Sequence, residues 1–168
     1  VNKRSVSELV ISFAIYLLRR VEFAHNEVKN GEWYQINGRQ LTGKTVGIIG
    51  CGHIGKDLVR LLAPYDCNII VHDILDYPKF YKKNNITAVS LDELAEVSDI
   101  ITLHVPLNDS TKDLITESHI KRFKKNMIFI NIARGGLVDE VALEDSLLKG
   151  LIGGAALDVF ATEPPLDR

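Results

Sequence analysis

Thr45-Val46-Gly47-Ile48-Ile49-Gly50-Cys51-Gly52-His53-Ile54-Gly55 is a β-branched apolar run that opens directly into three spaced glycines. It predicts a strand, a tight turn and the start of a helix. Gly50 permits the turn, Gly52 removes a side chain where a pyrophosphate must approach, and Gly55 lets helix and strand pack closely. The helix N-terminus then offers unpaired N–H groups to an anion. Alone, three spaced glycines are a weak signal, equally readable as a glycine-rich turn. What strengthens them is Asp73, about twenty residues on at the end of the next apolar run, where a carboxylate can accept hydrogen bonds from both ribose hydroxyls of an adenosine. Neither Ile74 nor Leu75 is basic, so nothing beside Asp73 compensates a 2′-phosphate and the carboxylate would repel one. The pattern therefore favours NAD over NADP.

Outward from this loop, short β-branched runs alternate with helical segments, the pattern of a parallel sheet covered on both faces. Strands are expected at 45–49, 68–72, 88–89, 100–105, 127–132 and 154–158, and helices at 54–63, 91–97, 117–123 and 140–149. The fold class is α/β: a Rossmann-like doubly wound parallel sheet of about six strands with helices on both faces. Before it, Val6, Leu9, Val10, Phe13, Ala14, Leu17, Leu18 and Val21 form the apolar stripe of an amphipathic helix, with Ser5 and Glu8 spaced as a capping box at its start. That stripe packs either on this domain's own core or on a second subunit or domain. Residues 29–43 read as a polar, glycine-punctuated connector carrying Trp33 and Tyr34, without regular structure. Residues 1–168 are thus expected to form one dinucleotide-binding domain, with 1–42 as leading helix and connector and 43–168 as core.

The chain has 168 residues, 46% of them hydrophobic, enough for one substantial core. Twenty basic residues nearly balance 22 acidic ones, so no overall field favours nucleic acid or an acidic membrane, and a small molecule is the expected partner. The apolar run 9–18 is too short to span a bilayer and lacks a signal-peptide cleavage pattern. Cys51 and Cys67 match neither a disulfide framework nor a metal cluster, no metal site is expected, and a reducing cytoplasm fits best. Cys51 is expected to face outward or to pack as a small hydrophobe, without redox chemistry. Opening on Val1 and stopping soon after Pro164-Pro165 suggests a piece cut at a domain boundary.

In an open parallel sheet, ligands lie beyond the carboxyl ends of the strands. Three strand ends converge there: the segments starting at His104, at Asn131 and at Asp158. Arg134 follows a buried apolar strand and precedes two glycines, where its planar guanidinium suits bidentate capture of a carboxylate. Glu163 precedes two prolines that restrict its backbone, although it also reads as a surface glutamate in a terminal tail. His104 reads as an acid/base or as a side chain lining the adenine side. The basic run Lys121, Arg122, Lys124 and Lys125 reads as a solvated helix end.

Together these motifs resemble the D-isomer-specific 2-hydroxyacid dehydrogenases, especially their phosphoglycerate dehydrogenase-like branch. The resemblance runs from Ser5-Val6-Ser7-Glu8 to Pro165 and is most specific in NIARGGLVDE (131–140) and GAALDVFATEPP (154–165). It implies that Arg134 binds the substrate's carboxylate and carbonyl, that Glu163 pairs with a catalytic histidine, and that Asp158 contacts the nicotinamide carboxamide. It also implies that His53 and Ile54 face the pyrophosphate through their backbone. Val105, Pro106, Ile132 and Ala133 would line the cofactor, with His104 and Thr111 close by. The family's leading helix crosses to a partner, which implies a homodimer through the N-terminal helix.

In that family the catalytic histidine follows the proline pair, beyond Arg168, and a separate substrate domain is built from flanking sequence. The expectation is an enzyme transferring a hydride between NAD and a small D-2-hydroxy or 2-oxo acid, most simply 3-phosphoglycerate, with residues 1–168 alone binding NAD weakly and nearly inactive. Removing a general acid/base costs roughly 10²–10⁴-fold. A different class stays open: an NAD(H)-sensing regulator like the C-terminal-binding-protein corepressors, which retain the same arginine and glutamate. A formate dehydrogenase-like member would pair its histidine with glutamine, against Glu163, and nothing points to S-adenosylhomocysteine hydrolase-like chemistry.

Overall fold

A computed structural model describes residues 2–165. Val1 and residues 166–168, the extreme ends of the expected domain, lie outside the described residues. Six parallel strands form one sheet: β1 (Thr45–Ile49), β2 (Asn68–His72), β3 (Thr87–Ala88), β4 (Ile100–Leu103), β5 (Ile128–Asn131) and β6 (Gly154–Leu157). Their order is β3-β2-β1-β4-β5-β6, so the chain reverses direction across the sheet between β1 and β4. A crevice opens at such a switch point. β4 and β5 are buried along their whole length, as expected of continuous apolar runs covered on both faces.

The helices are α1 (Lys3–Arg19), α2 (Val21–Lys29), α3 (His53–Leu62), α4 (Pro78–Asn84), α5 (Leu91–Val97), α6 (Glu117–Ile120) and α7 (Glu140–Leu148). Two apolar clusters cover the sheet. One joins Val10, Ala14 and Leu18 of α1 and Leu58 and Leu62 of α3 to Ile48, Val71 and Ile130. The other joins Leu94, Ile120 and Leu143 to Ile101, Leu103 and Phe129. The expected doubly wound sheet with helices on both faces is the observed one.

The leading stripe packs on this domain's own core: Val10, Ala14 and Leu18 are buried in it, Val6, Leu9, Phe13 and Leu17 are partly buried against it, and Val21 at its end is exposed. Off the stripe, Ile15, Tyr16, Phe23, Val28 and Trp33 are exposed. α1 is also pinned to α3 through Arg4 Nη2, 3.0 Å from Asp57 Oδ1, on a carboxylate that is 2% exposed.

Several boundaries differ from the sequence reading. The capping box at Ser5 and Glu8 is not formed: α1 starts earlier, at Lys3, and Ser5 Oγ donates to the Asn2 carbonyl instead. The stripe through Val21 is two helices, because Arg20 takes a left-handed conformation (φ 53°) and caps α1 with its N–H on Leu17 O. Lys29 closes α2 rather than opening the connector. α4 is an additional helix, started by Pro78 at a position that needs no N–H and ended by left-handed Asn85. Val105, Ile132 and Asp158 lie just past their strands, α6 stops at Ile120, and the β3 pair sits one residue earlier than expected.

Candidate active site

β1 ends in a turn that only glycine tolerates well. Gly50 has φ +96°, and a Cβ there would lie 2.6 Å from the His104 carbonyl, so the chain leaving β4 passes directly against this turn. A Cβ on Gly55 would overlap the Gly50 carbonyl and press on Ile48, which is the close helix–strand packing that the third glycine was expected to permit. At Gly52 an added Cβ meets nothing within 4 Å. The loop therefore leaves open space directly before the N-terminus of α3, which suits a pyrophosphate.

Asp73 closes the other side of this loop. Its Oδ2 accepts from Cys51 N at 2.6 Å and its Oδ1 from Leu75 N at 2.8 Å. The sequence reading gave this carboxylate to ribose hydroxyls alone; the structure also uses it to brace the phosphate loop. A carboxylate has about four acceptor sites, so two remain for a ribose. Cys51 itself is buried, and burial pushes its thiol up to about 11, an inert packing residue.

A cleft of about 360 Å³ runs over this end of the sheet, lined by Gly50, Gly52, Asp73, His104, Val105, Pro106 and Thr111 among others. Tyr77 lines it too, with Lys56 Nζ 3.2 Å from its ring centroid. Sequence reading missed both residues, since a cation–π pair across 21 positions has no local signature. Thr111 Oγ1 donates to the Pro106 carbonyl at 2.6 Å, folding that loop back as one wall.

A second cavity, of about 260 Å³, adjoins the first through His104, Val105 and Pro106; Val6, Ile54, Ile132, Ala133 and Arg134 complete its lining. Seven of the expected cofactor and substrate residues thus line the first cleft and seven the second, three of them shared. His53 and Gly55 lie behind them on α3, and Asp158 and Glu163 line neither cavity.

The His104 ring sits where the two cavities meet. Its Nε2 lies 3.0 Å from Thr102 Oγ1, and its Nδ1 is buried with no partner among the described residues. Burial holds its pKa down at about 4, against an ordinary 6.5. A neutral ring with an unused nitrogen fits a polar ligand threaded between the cavities. The folded chain resists a proton that the unfolded chain accepts, so stability should be complete above pH 6.5 and fall as pH drops toward 4. Urea midpoints across that range should show this slope in the wild type and a shallower one in His104→Gln; parallel slopes would contradict it.

The residues expected at the substrate end follow β5 and β6. Asn131, fully buried, accepts from Ala133 N at 3.1 Å and donates from Nδ2 to the Arg134 carbonyl at 2.9 Å. Its own carbonyl accepts Asp158 N at 3.1 Å, tying the two strand ends together. Arg134 is exposed, and among the described residues its guanidinium makes no salt bridge; Nη1 only donates to the Ala133 carbonyl at 2.6 Å. Such a guanidinium can take a carboxylate ligand without first breaking an ion pair. Asp158 and Glu163 are also exposed, and Glu163 Oε1 accepts Phe160 N at 3.0 Å. Asn131 was quoted in the sequence without a role. A polar residue ending an otherwise apolar strand is the signal that marks it.

These arrangements match known proteins along nearly the whole chain. The family described as D-isomer specific 2-hydroxyacid dehydrogenase, NAD binding domain, matches residues 11–168. A D-3-phosphoglycerate dehydrogenase of Methanocaldococcus jannaschii is 40% identical over 167 residues, covering 98% of this chain and 32% of that protein. A hydroxypyruvate reductase of Thermotoga maritima is 37% identical over 98% of this chain and 53% of its own length. Among solved structures, the D-lactate dehydrogenase of Aquifex aeolicus complexed with NAD and lactic acid is similar at a TM-score of 0.90 and 31% identity, over 95% of this chain and 49% of that one. The chain spans about a third to a half of the length of these relatives. It belongs to the D-isomer specific 2-hydroxyacid dehydrogenase family, as that family's NAD-binding domain.

Proposed function

We propose that residues 1–168 are the cofactor half of an NAD-dependent enzyme that interconverts a D-2-hydroxy acid and its 2-oxo acid, with 3-phosphoglycerate as the first substrate to test. The observation that carries this reading is Arg134, exposed and without a salt bridge among the described residues, in the wall of the cavity that adjoins the phosphate-loop cleft. Bound NAD would accept the hydride from C2 of the hydroxy acid or return it. The chain's own residues do the rest. Gly50, Gly52, His53, Ile54 and Gly55 receive the pyrophosphate, Asp73 receives the ribose, and Asp158 orients the carboxamide. Arg134 holds the acid's carboxylate, and Glu163 pairs with a histidine supplied from outside this segment.

The proton lost from the hydroxyl passes to that histidine, so residues 1–168 alone are expected to bind NAD weakly and turn over little. The exposed apolar residues Ile15, Tyr16, Phe23, Val28 and Trp33 on and after the leading helices suit a homodimer interface. Among the described residues no helix is long and apolar enough to cross a membrane. Two free thiols suit a reducing cytoplasm.

The test is steady-state turnover by the full-length polypeptide on a panel of 2-oxo acids, 3-phosphohydroxypyruvate first, with NADH and NADPH. Consumption of NADH with a D-hydroxy acid product is the expected result. Tight NADH binding with no turnover on any member of the panel would move the protein to the regulator reading. The relatives named above carry enzyme names, which supports catalysis.

A further inference from the structure

The loop that carries Asp158 and Glu163 is irregular and largely exposed, yet it contacts its neighbours at defined points. At Gly135, next to Arg134, an added Cβ would overlap the Phe160 carbonyl, so the two loops touch backbone to backbone. The next residue along, Ala161, donates its N–H to Glu140 Oε1 at 2.6 Å. Glu140 is 9% exposed, which is costly for a carboxylate unless it is well bonded. It opens α7, where the helix dipole favours an anion. The start of that helix is itself fixed, because Asp139 Oδ1 caps Ala142 N at 3.0 Å while Asp139 N donates to the Ile115 carbonyl at 2.9 Å.

We propose that Glu140 is a positioning residue: its carboxylate holds the 158–163 loop in register against the Arg134 loop, so that Arg134 and Glu163 face one substrate. The proposal rests on the catalytic reading above for the roles of Arg134 and Glu163. The register itself does not depend on it. A hydrogen bond with an ionised acceptor at the first turn of a fixed helix is a stiff attachment. Phe160, whose carbonyl makes the touching point, gives its N–H to Glu163 Oε1 at 3.0 Å. The anchor at Ala161 thus sits two residues from the carboxylate whose direction matters. Positioning of this kind acts on turnover more than on cofactor affinity, because the phosphate loop belongs to β1 and α3 and the Asp158 end of the segment is tied separately, through its N–H, to the Asn131 carbonyl.

The experiment compares Glu140→Gln, Glu140→Asp and Glu140→Ala in the full-length polypeptide. Gln keeps an acceptor oxygen at the same reach, Asp keeps the charge but withdraws it by one methylene, and Ala removes the acceptor. The readouts are hydrogen exchange of the segment 158–163, kcat and KM for the 2-oxo acid, the NADH dissociation constant, and Tm. For Ala and Asp, exchange in the segment should rise by about tenfold, the opening expected when a charge-assisted bond is lost. In those variants kcat should fall about tenfold, short of the 10²-fold that a 1 Å misplacement can cost, while NADH affinity stays within about twofold. Gln should retain most of both properties. If Ala fails to fold, Asp carries the comparison.

Unchanged exchange in every variant overturns the proposal, as does faster exchange with unchanged kcat, or a kcat loss that Gln shares in full. If the wild type turns over no 2-oxo acid, the catalytic reading fails on its own. Exchange then decides the register: faster in Ala and Asp but not in Gln supports it, and no difference refutes it.

Discussion

Arg134→Leu in the full-length polypeptide should lower kcat/KM for the 2-oxo acid by roughly 30- to 4,000-fold, the equivalent of the 2–5 kcal/mol typical of truncating one side of a desolvated charge pair. The guanidinium stands at the carboxyl end of β5, on a loop whose backbone Asn131 holds at both Ala133 N and the Arg134 carbonyl. Its position is therefore set before substrate arrives, and only the side chain is removed by the substitution. Arg134 lines the cavity with Ile54, Ile132 and Ala133. A substrate carboxylate there would leave water for an apolar wall and one bidentate partner, where loss of that partner is costly. Leucine restores the apolar volume, so the effect isolates charge and hydrogen bonding. Arg134→Lys should recover part of the loss, because a point charge lacks the fork geometry. NADH affinity should stay within about twofold in both variants, since the phosphate loop and Asp73 in the adjoining cleft are untouched. A kcat/KM within about threefold of wild type in Arg134→Leu would remove Arg134 from substrate binding.

What the sequence reveals and what it hides follow from the range of the interactions. The strands were legible because a central parallel strand must be apolar on both faces, and runs such as Ile100–Leu103 and Ile128–Asn131 have no other good use. Their carboxyl ends read one or two residues too long. Val105 and Ile132 are apolar because they line cavities after leaving the sheet. The break at Arg20 is invisible to periodicity: one left-handed residue leaves the three-and-four spacing of Leu17, Leu18 and Val21 intact. α4 hid because its packing residues are aromatic, Phe80 and Tyr81, set among lysines. In the site, the glycines, Asp73, Arg134 and Glu163 are each marked by chemistry that is odd for their local setting. Glu140 is not. A glutamate at a helix start is ordinary, and its bond to Ala161, 21 residues away, exists only in the folded chain.

The preference for NADH over NADPH should fall by roughly 30- to 150-fold in Asp73→Asn, read as the ratio of the two dissociation constants. The wild-type carboxylate would meet a 2′-phosphate at close range. Like charges about 4 Å apart near a protein surface repel by about 4 kcal/mol, and salt screening leaves roughly 2–3 kcal/mol of that to be relieved. Asn is the informative replacement because Asp73 also braces the phosphate loop through Cys51 N. An amide oxygen can keep that bond, so the loop should hold while the charge disappears. NADH should weaken as well, because hydrogen bonds from ribose hydroxyls to a carboxylate are stronger than to an amide. The structure adds a reason for a large switch that the residues next to Asp73 do not reveal. Lys56 lies over the Tyr77 ring in the wall of the same cleft, and with Asp73 neutral it is a cation available to an incoming phosphate. Asp73→Asn/Lys56→Met should therefore lose much of the NADPH affinity gained by the single variant. If Asp73→Asn leaves the ratio unchanged, the discrimination against the 2′-phosphate is steric and lies in the Ile74 and Leu75 backbone rather than in the charge.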